Sequence, residues 1–149
     1  MKVMDTRQLL DEYTRLICEG ARELPLLISG NSMSPFLIHG RDTVYLSPIE
    51  GEVRRGDMIL YRRDSGQYVL HRVYSVGKDA YSMVGDGQST VETGIRREQM
   101  VATVTHVTRK GKTLAPGSFW WDFFAKVWIG VLPLRDSICR AYGRCRKNT

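Results

Sequence analysis

Cysteine is scarce in this sequence. Only three of the 149 residues are cysteines, Cys18, Cys139 and Cys145, and no Cys or His pair has the spacing of a zinc site. An odd, small number of cysteines argues against a disulfide framework and is typical of a reducing compartment. The composition therefore predicts a cytoplasmic protein with no metal or other cofactor.

Long apolar runs are also lacking. The most apolar segment, residues 119–134, contains Asp122, Lys126 and Pro133, and a membrane-spanning helix needs about 20 apolar residues. The first 25 residues contain five acidic side chains, which does not fit the apolar centre of a signal peptide. We therefore expect neither a transmembrane segment nor an N-terminal membrane anchor.

Net positive charge is absent from most of the chain. Residues 1–108 contain 13 Lys/Arg and 14 Asp/Glu, whereas residues 109–149 contain nine Lys/Arg and two Asp. Nucleic-acid-binding domains usually carry basic residues over a whole face of the fold. The distribution argues against nucleic acid as a partner, and a basic tail beside an apolar helix better fits an anionic membrane surface.

The periodicity of apolar residues predicts one mainly β domain, a small coiled barrel-like domain with an amphipathic helix at each end. We assign residues 1–24 to the N-terminal helix, 25–108 to the β core, and 118–149 to the C-terminal helix and basic tail. Runs rich in Val, Tyr, Thr and Leu, separated by Gly, Asp and Pro, predict the strands. These are residues 25–28, 43–46, 58–61, 68–76, 81–84 and 100–107.

The aromatic stripe of the C-terminal helix has two interpretations. Residues 119–131 place Trp and Phe side chains at helical spacing, and such a stripe usually covers a core. Three tryptophans followed by a basic tail also fit peripheral contact with the inner face of a membrane. The sequence leaves both open.

A polar run between two apolar segments, residues 29–35, contains the first candidate for chemistry. Ser32 taken alone is typical of a turn. It begins a Ser-Met-x-Pro-x-Leu run, however, and four further motifs follow in order. They are Gly-Arg-Asp at 40–42, Arg-Gly-Asp at 55–57, Val-Leu-His-Arg-Val at 69–73 and Gly-Asp-Gly at 85–87.

This ordered set resembles the signal peptidase I/LexA-like serine peptidase superfamily over about residues 26–107. The resemblance implies that Ser32 is the nucleophile and that Met33 and Pro35 shape its turn. His71 falls where the archaeal and endoplasmic-reticulum-type branch has a histidine base, so the chain is most similar to that branch. Asp86 matches the aspartate of the family's Gly-Asp-Asn motif. A preference for small residues before the scissile bond is also implied.

The chain departs from the family pattern in three places. Gly87 stands where the family has Asn, and Arg41 is inserted in what is often a plain Gly-Asp turn. The second acid that follows the Gly-Asp motif has no clear match, and Glu92 and Glu98 are the nearest candidates. These departures leave open which residue is the third member of the catalytic site.

The residues themselves predict hydrolysis of a peptide through an acyl-enzyme. A serine hydroxyl needs a neighbouring base, which His71 can supply near neutral pH. An acid on the other ring nitrogen would fix the tautomer, and Asp86 is the first candidate, with a structural turn carboxylate as the alternative. Backbone N–H groups, including that of Ser32, would form the oxyanion hole. Gly30 would let a substrate backbone approach closely.

We count Gly30, Met33 and Pro35 as substrate-binding residues. A histidine base with an ordinary pKa predicts that activity falls between about pH 8 and 5. His39, on a loop, and His106, at the end of a strand, are rivals for the base, and both are more typical of surface or structural positions.

Three functions remain open at this stage, each with a peptide or precursor protein as partner. The first is a serine endopeptidase acting on a precursor protein. The second is the same chemistry on a small peptide precursor in the cytosol. The third is a non-catalytic peptide-binding or regulatory domain, which the altered Gly-Asp-Gly motif motivates. A DNA-bound repressor is disfavoured because no helix-turn-helix pattern precedes the β region. The sequence does not predict an oligomeric state.

Overall fold

A computed structural model describes residues 6–88 and 90–134. The fold is mainly β, as predicted, with one antiparallel sheet of eight strands, one N-terminal helix and a C-terminal helical segment. Helix α1 spans Thr6–Cys18. The strands are β1 Leu24–Leu27, β2 Thr43–Ser47, β3 Met58–Arg62, β4 Tyr68–Val76, β5 Tyr81–Val84, β6 Glu92–Ile95, β7 Met100–Arg109 and β8 Lys112–Leu114.

The sheet is open and is not a closed barrel. Its strand order is β1-β2-β7-β3-β4-β5-β6, with β8 paired to β7 beside this path, so β1 and β6 lie at its two ends. Register shifts interrupt the pairing of β7 with both β2 and β3, and of β5 with both β4 and β6. Such irregularities bend and twist strands. The barrel-like prediction therefore holds only loosely.

All six predicted strands are present, with ends shifted by at most two residues. The sequence analysis missed β6 and β8, which have four and three residues. A strand this short offers little alternation to detect. Gly94 lies inside β6 with φ +76°, and a glycine in the left-handed region is a signal of a turn or bulge.

Alternation along the strands divides the core between two faces of the sheet. Met58 and Leu60 of β3 face one cluster, which also contains residues of α1 and of the C-terminal segment. Ile59 and Tyr61 of the same strand face a second cluster. Because neighbouring residues of a strand point to opposite faces, His71 and Arg72 of β4 also lie on opposite faces.

The C-terminal segment is helical but irregular. Phe119–Asp122 forms a short helix α2, Phe123–Val127 a π-helical segment, and Trp128–Leu134 a 3₁₀ segment. The last contains a non-helical residue, Val131, two residues before Pro133, whose ring disfavours a continuing helix. The rest of the predicted region, residues 135–149 with the basic tail, Cys139 and Cys145, lies outside the described residues. In the part that is described, no helix is long and apolar enough to cross a membrane.

Candidate active site

Ser32 lies in the loop of residues 28–42 that joins β1 to β2, which we call the serine loop. Gly30 has φ +88°, a left-handed conformation that glycine adopts without strain. Its backbone N–H donates a hydrogen bond of 2.9 Å to Nδ1 of His39. Phe36 and Leu37, just after the serine, are fully buried. The loop is therefore anchored on both sides of Ser32, and the family-like sequence forms an ordered turn.

Asp42 anchors the end of the serine loop. Its buried carboxylate accepts hydrogen bonds from the amides of Ile38 and Lys110, at 2.8 and 3.1 Å, and from the Arg41 guanidinium. Burial favours a higher pKa for Asp42, but these donors hold the pKa below its ordinary value. Arg41, which the family pattern lacks, thus pairs with the aspartate of the turn.

The turn at residues 85–88 packs against the serine loop at very close range. The backbone N–H of Gly87 donates to the carbonyl oxygen of Ser32 at 2.8 Å. A Cβ at Gly85 would lie 2.3 Å from that oxygen, and a Cβ at Gly87 would lie 2.7 Å from the carbonyl oxygen of Asn31. Both glycines are required by this approach.

The serine loop and the first half of β4 enclose a cleft of about 270 Å³. The residues that line it include Gly30, Ser32, Met33, Val69, Leu70 and His71. The structure thus brings Ser32 and His71 to one cleft, although no hydrogen bond joins their side chains among the described residues. Catalytic hydrogen bonds often tighten only when substrate binds. Pro35 does not line the cleft and instead follows a cis peptide bond in the turn.

A tyrosine contacts Nδ1 of His71, and a glutamate in turn binds the tyrosine. Its Nδ1 is 3.2 Å from the hydroxyl oxygen of Tyr61, and that hydroxyl donates to Oε1 of Glu92 at 2.6 Å. Because the hydroxyl hydrogen of Tyr61 is donated to Glu92, the tyrosine oxygen can accept a hydrogen bond from an N–H at Nδ1 of His71. This geometry selects the tautomer with hydrogen on Nδ1 and leaves the lone pair of Nε2 available as a base.

Burial keeps the imidazole of His71 neutral. It lowers the pKa of His71 from 6.5 to about 4, with the charge of Glu92 opposing the change. Partial burial favours a higher pKa for Glu92, but hydrogen bonds from Arg63 and Tyr61 hold that pKa below its ordinary value. Glu92 is therefore an anion at neutral pH. The expected loss of activity between about pH 8 and 5 is accordingly revised, because His71 titrates below that range.

Asp86 does not act on His71 in this geometry. Both of its carboxylate oxygens bind the guanidinium of Arg72, at 2.8 and 3.1 Å, and both side chains are fully buried. Arg72 lies on the face of β4 opposite to His71, and its other nitrogen donates to the carbonyl oxygen of Gly56. Asp86 is thus the acid of a buried ion pair, and Tyr61, with Glu92 behind it, is the residue next to Nδ1 of His71.

Neither Tyr61 nor Glu92 was predicted to hold His71. A signal for Tyr61 exists in the sequence, since a hairpin through the turn at residues 63–67 pairs β3 with β4 and puts Tyr61 and His71 on one face. Glu92 was noted only as a candidate second acid. It lies on β6, a strand that was not predicted, so its contact with Tyr61 could not be foreseen.

The two rival histidines have other partners. His39 is exposed and accepts the hydrogen bond from Gly30 described above. His106 stacks on Tyr45 with ring centroids 4.3 Å apart, and its Nδ1 is 3.1 Å from Oγ1 of Thr105. Neither lines the cleft, whereas His71 does.

No group of three His, Cys, Asp or Glu side chains within residues 6–88 and 90–134 is placed to hold a metal ion. Comparison with known proteins gives no match to a protein-family model, a curated protein or a solved structure. Any functional conclusion must therefore come from the geometry of the cleft and from the motifs in the sequence.

Proposed function

We propose that the protein is a serine endopeptidase, with Ser32 as the nucleophile and His71 as the general base. The observation that carries the proposal is a single cleft that contains both residues while the far side of the imidazole is fixed by Tyr61 and Glu92. A neutral, oriented histidine beside a serine is the arrangement that activates a hydroxyl. The motif resemblance supports the same assignment.

The reaction follows from these positions. Nε2 of His71 takes the proton of the Ser32 hydroxyl as Oγ attacks the scissile carbonyl carbon, and the backbone N–H of Ser32 is the proposed donor to the oxyanion. The imidazolium then gives its proton to the leaving amine, which departs and leaves an ester on Oγ. Water, deprotonated by the same nitrogen, hydrolyses this ester. Throughout, the oxygen of Tyr61 and the charge of Glu92 stabilise the imidazolium.

The substrate in this proposal is an extended peptide. Strand β5 pairs with β4 only between Arg72 and Val76, so Tyr68–His71 keep one edge of β4 without a strand partner among the described residues. This edge lines the same cleft as Ser32. A peptide added to it would be held by backbone hydrogen bonds, with its carbonyl groups in line with the serine. The resemblance adds a preference for small residues before the cut.

We place this activity in the cytoplasm, acting on a peptide or precursor protein. The support is the small, odd number of cysteines, of which Cys18 is exposed and unpaired. Cleavage of a precursor protein and cleavage of a small peptide differ only in what occupies the cleft, so both fall under this proposal.

Labelling with a fluorophosphonate probe tests the nucleophile. We expect the probe to modify wild type at Ser32, as located by mass spectrometry, and to leave Ser32→Ala unmodified. His71→Ala should also lose labelling because the hydroxyl is then not activated. Ser29→Ala is the matched control, since Ser29 is exposed and lines the same cleft, and this variant should be labelled like wild type.

A second candidate function is peptide binding without catalysis. The observation that favours it is the missing hydrogen bond between Ser32 and His71 among the described residues. It predicts no labelling of any serine, together with binding of extended peptides that Ser32→Ala leaves unchanged. Unaltered labelling of Ser32→Ala would refute the proposed nucleophile directly.

A further inference from the structure

The C-terminal segment exposes a cluster of apolar side chains. Phe119 is 71 % exposed, Trp120 46 % and Val127 52 %. Phe119 stacks on Phe123 with ring centroids 6.2 Å apart, and Trp120 meets both rings edge-on, at 4.9 and 5.7 Å. We call Phe119, Trp120, Phe123 and Val127 the aromatic face. Grouped exposed aromatic residues mark an interaction surface more often than scattered ones do.

The opposite side of the same segment is firmly attached to the β domain. Trp121 and Phe124 pack on Phe36 of the serine loop, with centroids 6.3 and 4.8 Å apart. Trp128 is buried, and its indole N–H donates to the backbone oxygen of Asp86 at 2.7 Å. The aromatic face is therefore a preformed surface, because the buried side of the segment fixes its position.

One arginine contacts the aromatic face, and three exposed lysines lie near it along the chain. The guanidinium of Arg109 lies over the Trp120 ring, 5.6 Å from its centroid. Lys110 and Lys112 are exposed in the turn between β7 and β8, and Lys126 is exposed on the segment itself. From residue 109 to the end, the chain has nine Lys/Arg and two Asp. Positive charge thus contacts the exposed rings at Arg109 and predominates in the sequence from residue 109 onward, where Asp122 is the one acidic residue of the segment itself.

We propose that the aromatic face and these cations dock the protein on the surface of an anionic lipid bilayer. Tryptophan and phenylalanine at an edge of a protein favour the interfacial region of a bilayer. Lysine and arginine beside them are attracted to anionic headgroups. A protein partner fits less well because protein interfaces are depleted in lysine, and three lysines lie here. This docking surface does not depend on the proposed peptidase activity.

Flotation of the full chain with lipid vesicles tests the proposal. We expect binding to vesicles of phosphatidylcholine with about 30 % phosphatidylserine, weaker binding to phosphatidylcholine alone, and a decrease as salt rises to about 0.5 M. Phe119→Ser combined with Trp120→Ser should lower the affinity by about tenfold or more. The matched control is Leu27→Ser combined with Val76→Ser, which removes two exposed apolar side chains from the sheet and should bind like wild type.

Charge is tested separately. Lys110→Gln combined with Lys112→Gln should reduce binding to the anionic vesicles by about tenfold, whereas Lys78→Gln, an exposed change on the turn after β4, should not. The proposal is overturned if wild type does not float with anionic vesicles, or if the aromatic and control variants bind equally. It is also overturned if sedimentation shows a dimer that the aromatic variant dissociates, because a second copy would then be the occupant.

Discussion

Acidification should destabilise the protein through His71, and the structure sets the size of the effect. The pKa of His71 is lowered from 6.5 to about 4 in the folded protein, so between these values the unfolded chain binds a proton that the folded protein does not. Stability must then fall as the pH falls. At about 1.4 kcal/mol per pKa unit, the group removes about 2 kcal/mol at pH 5 and about 3 kcal/mol at pH 4, relative to neutral pH.

Urea unfolding of wild type and His71→Gln at several pH values isolates this group. Glutamine is neutral and similar in size, so His71→Gln removes the titration of the imidazole and keeps the other titratable groups of the chain. The difference in unfolding free energy between the two proteins should change by about 3 kcal/mol from about pH 7.5 to 4. Parallel pH profiles for the two proteins would show that the imidazole is not buried in neutral form and would refute the reasoning.

The same pKa fixes the pH dependence of catalysis. A base that is protonated only near pH 4 stays active down to about pH 5, so kcat/KM for a model peptide should be nearly constant between about pH 5.5 and 8. A fall centred near the ordinary histidine value, about 6.5, would instead mean that His71 is solvated or is not the base.

Two further substitutions separate the residues around the site by role. Tyr61→Phe removes the acceptor for Nδ1 of His71, so kcat should fall by about tenfold or more. The ¹⁵N chemical shifts of the His71 ring should then show a mixture of tautomers. An unchanged spectrum would argue against a positioning role for Tyr61. Asp86→Asn leaves the Arg72 charge buried without a counterion and should lower the free energy of unfolding by about 3–5 kcal/mol. The control is Asp64→Asn, in an exposed ion pair, which should change the free energy of unfolding in urea by about 1 kcal/mol or less. Equal effects of the two substitutions would contradict the structural role of Asp86.

Much of the fold could be predicted because its signals are local. The strand of residues 68–76 was predicted with its observed bounds, since β-branched and aromatic residues alternate between clear turns. The irregular C-terminal segment was predicted only as a helix, because its apolar periodicity does not distinguish an α-helix from the π and 3₁₀ segments that follow Asp122.

The candidate site also contains residues that local motifs predicted and contacts that only the fold shows. Ser32 and His71 stand in motifs that can be read along the chain, and both line the cleft. Asp86 stands in such a motif too, yet alternation on β4 sends its partner Arg72 to the other face. The order of motifs therefore named two residues that share the cleft, whereas the acid that it named is bound to Arg72.

The sequence by itself determined a mainly β chain, the turn that presents Ser32, the strand that carries His71, and the concentration of positive charge after residue 108. These depend on composition, spacing and local conformational preference. Only the tertiary structure decided that Tyr61 and Glu92 hold His71, because that contact needs β6 beside β5 and the register of β3 on β4. It likewise decided which aromatic residues are buried and which are exposed. Contacts between distant strands and faces depend on packing, which no local pattern encodes.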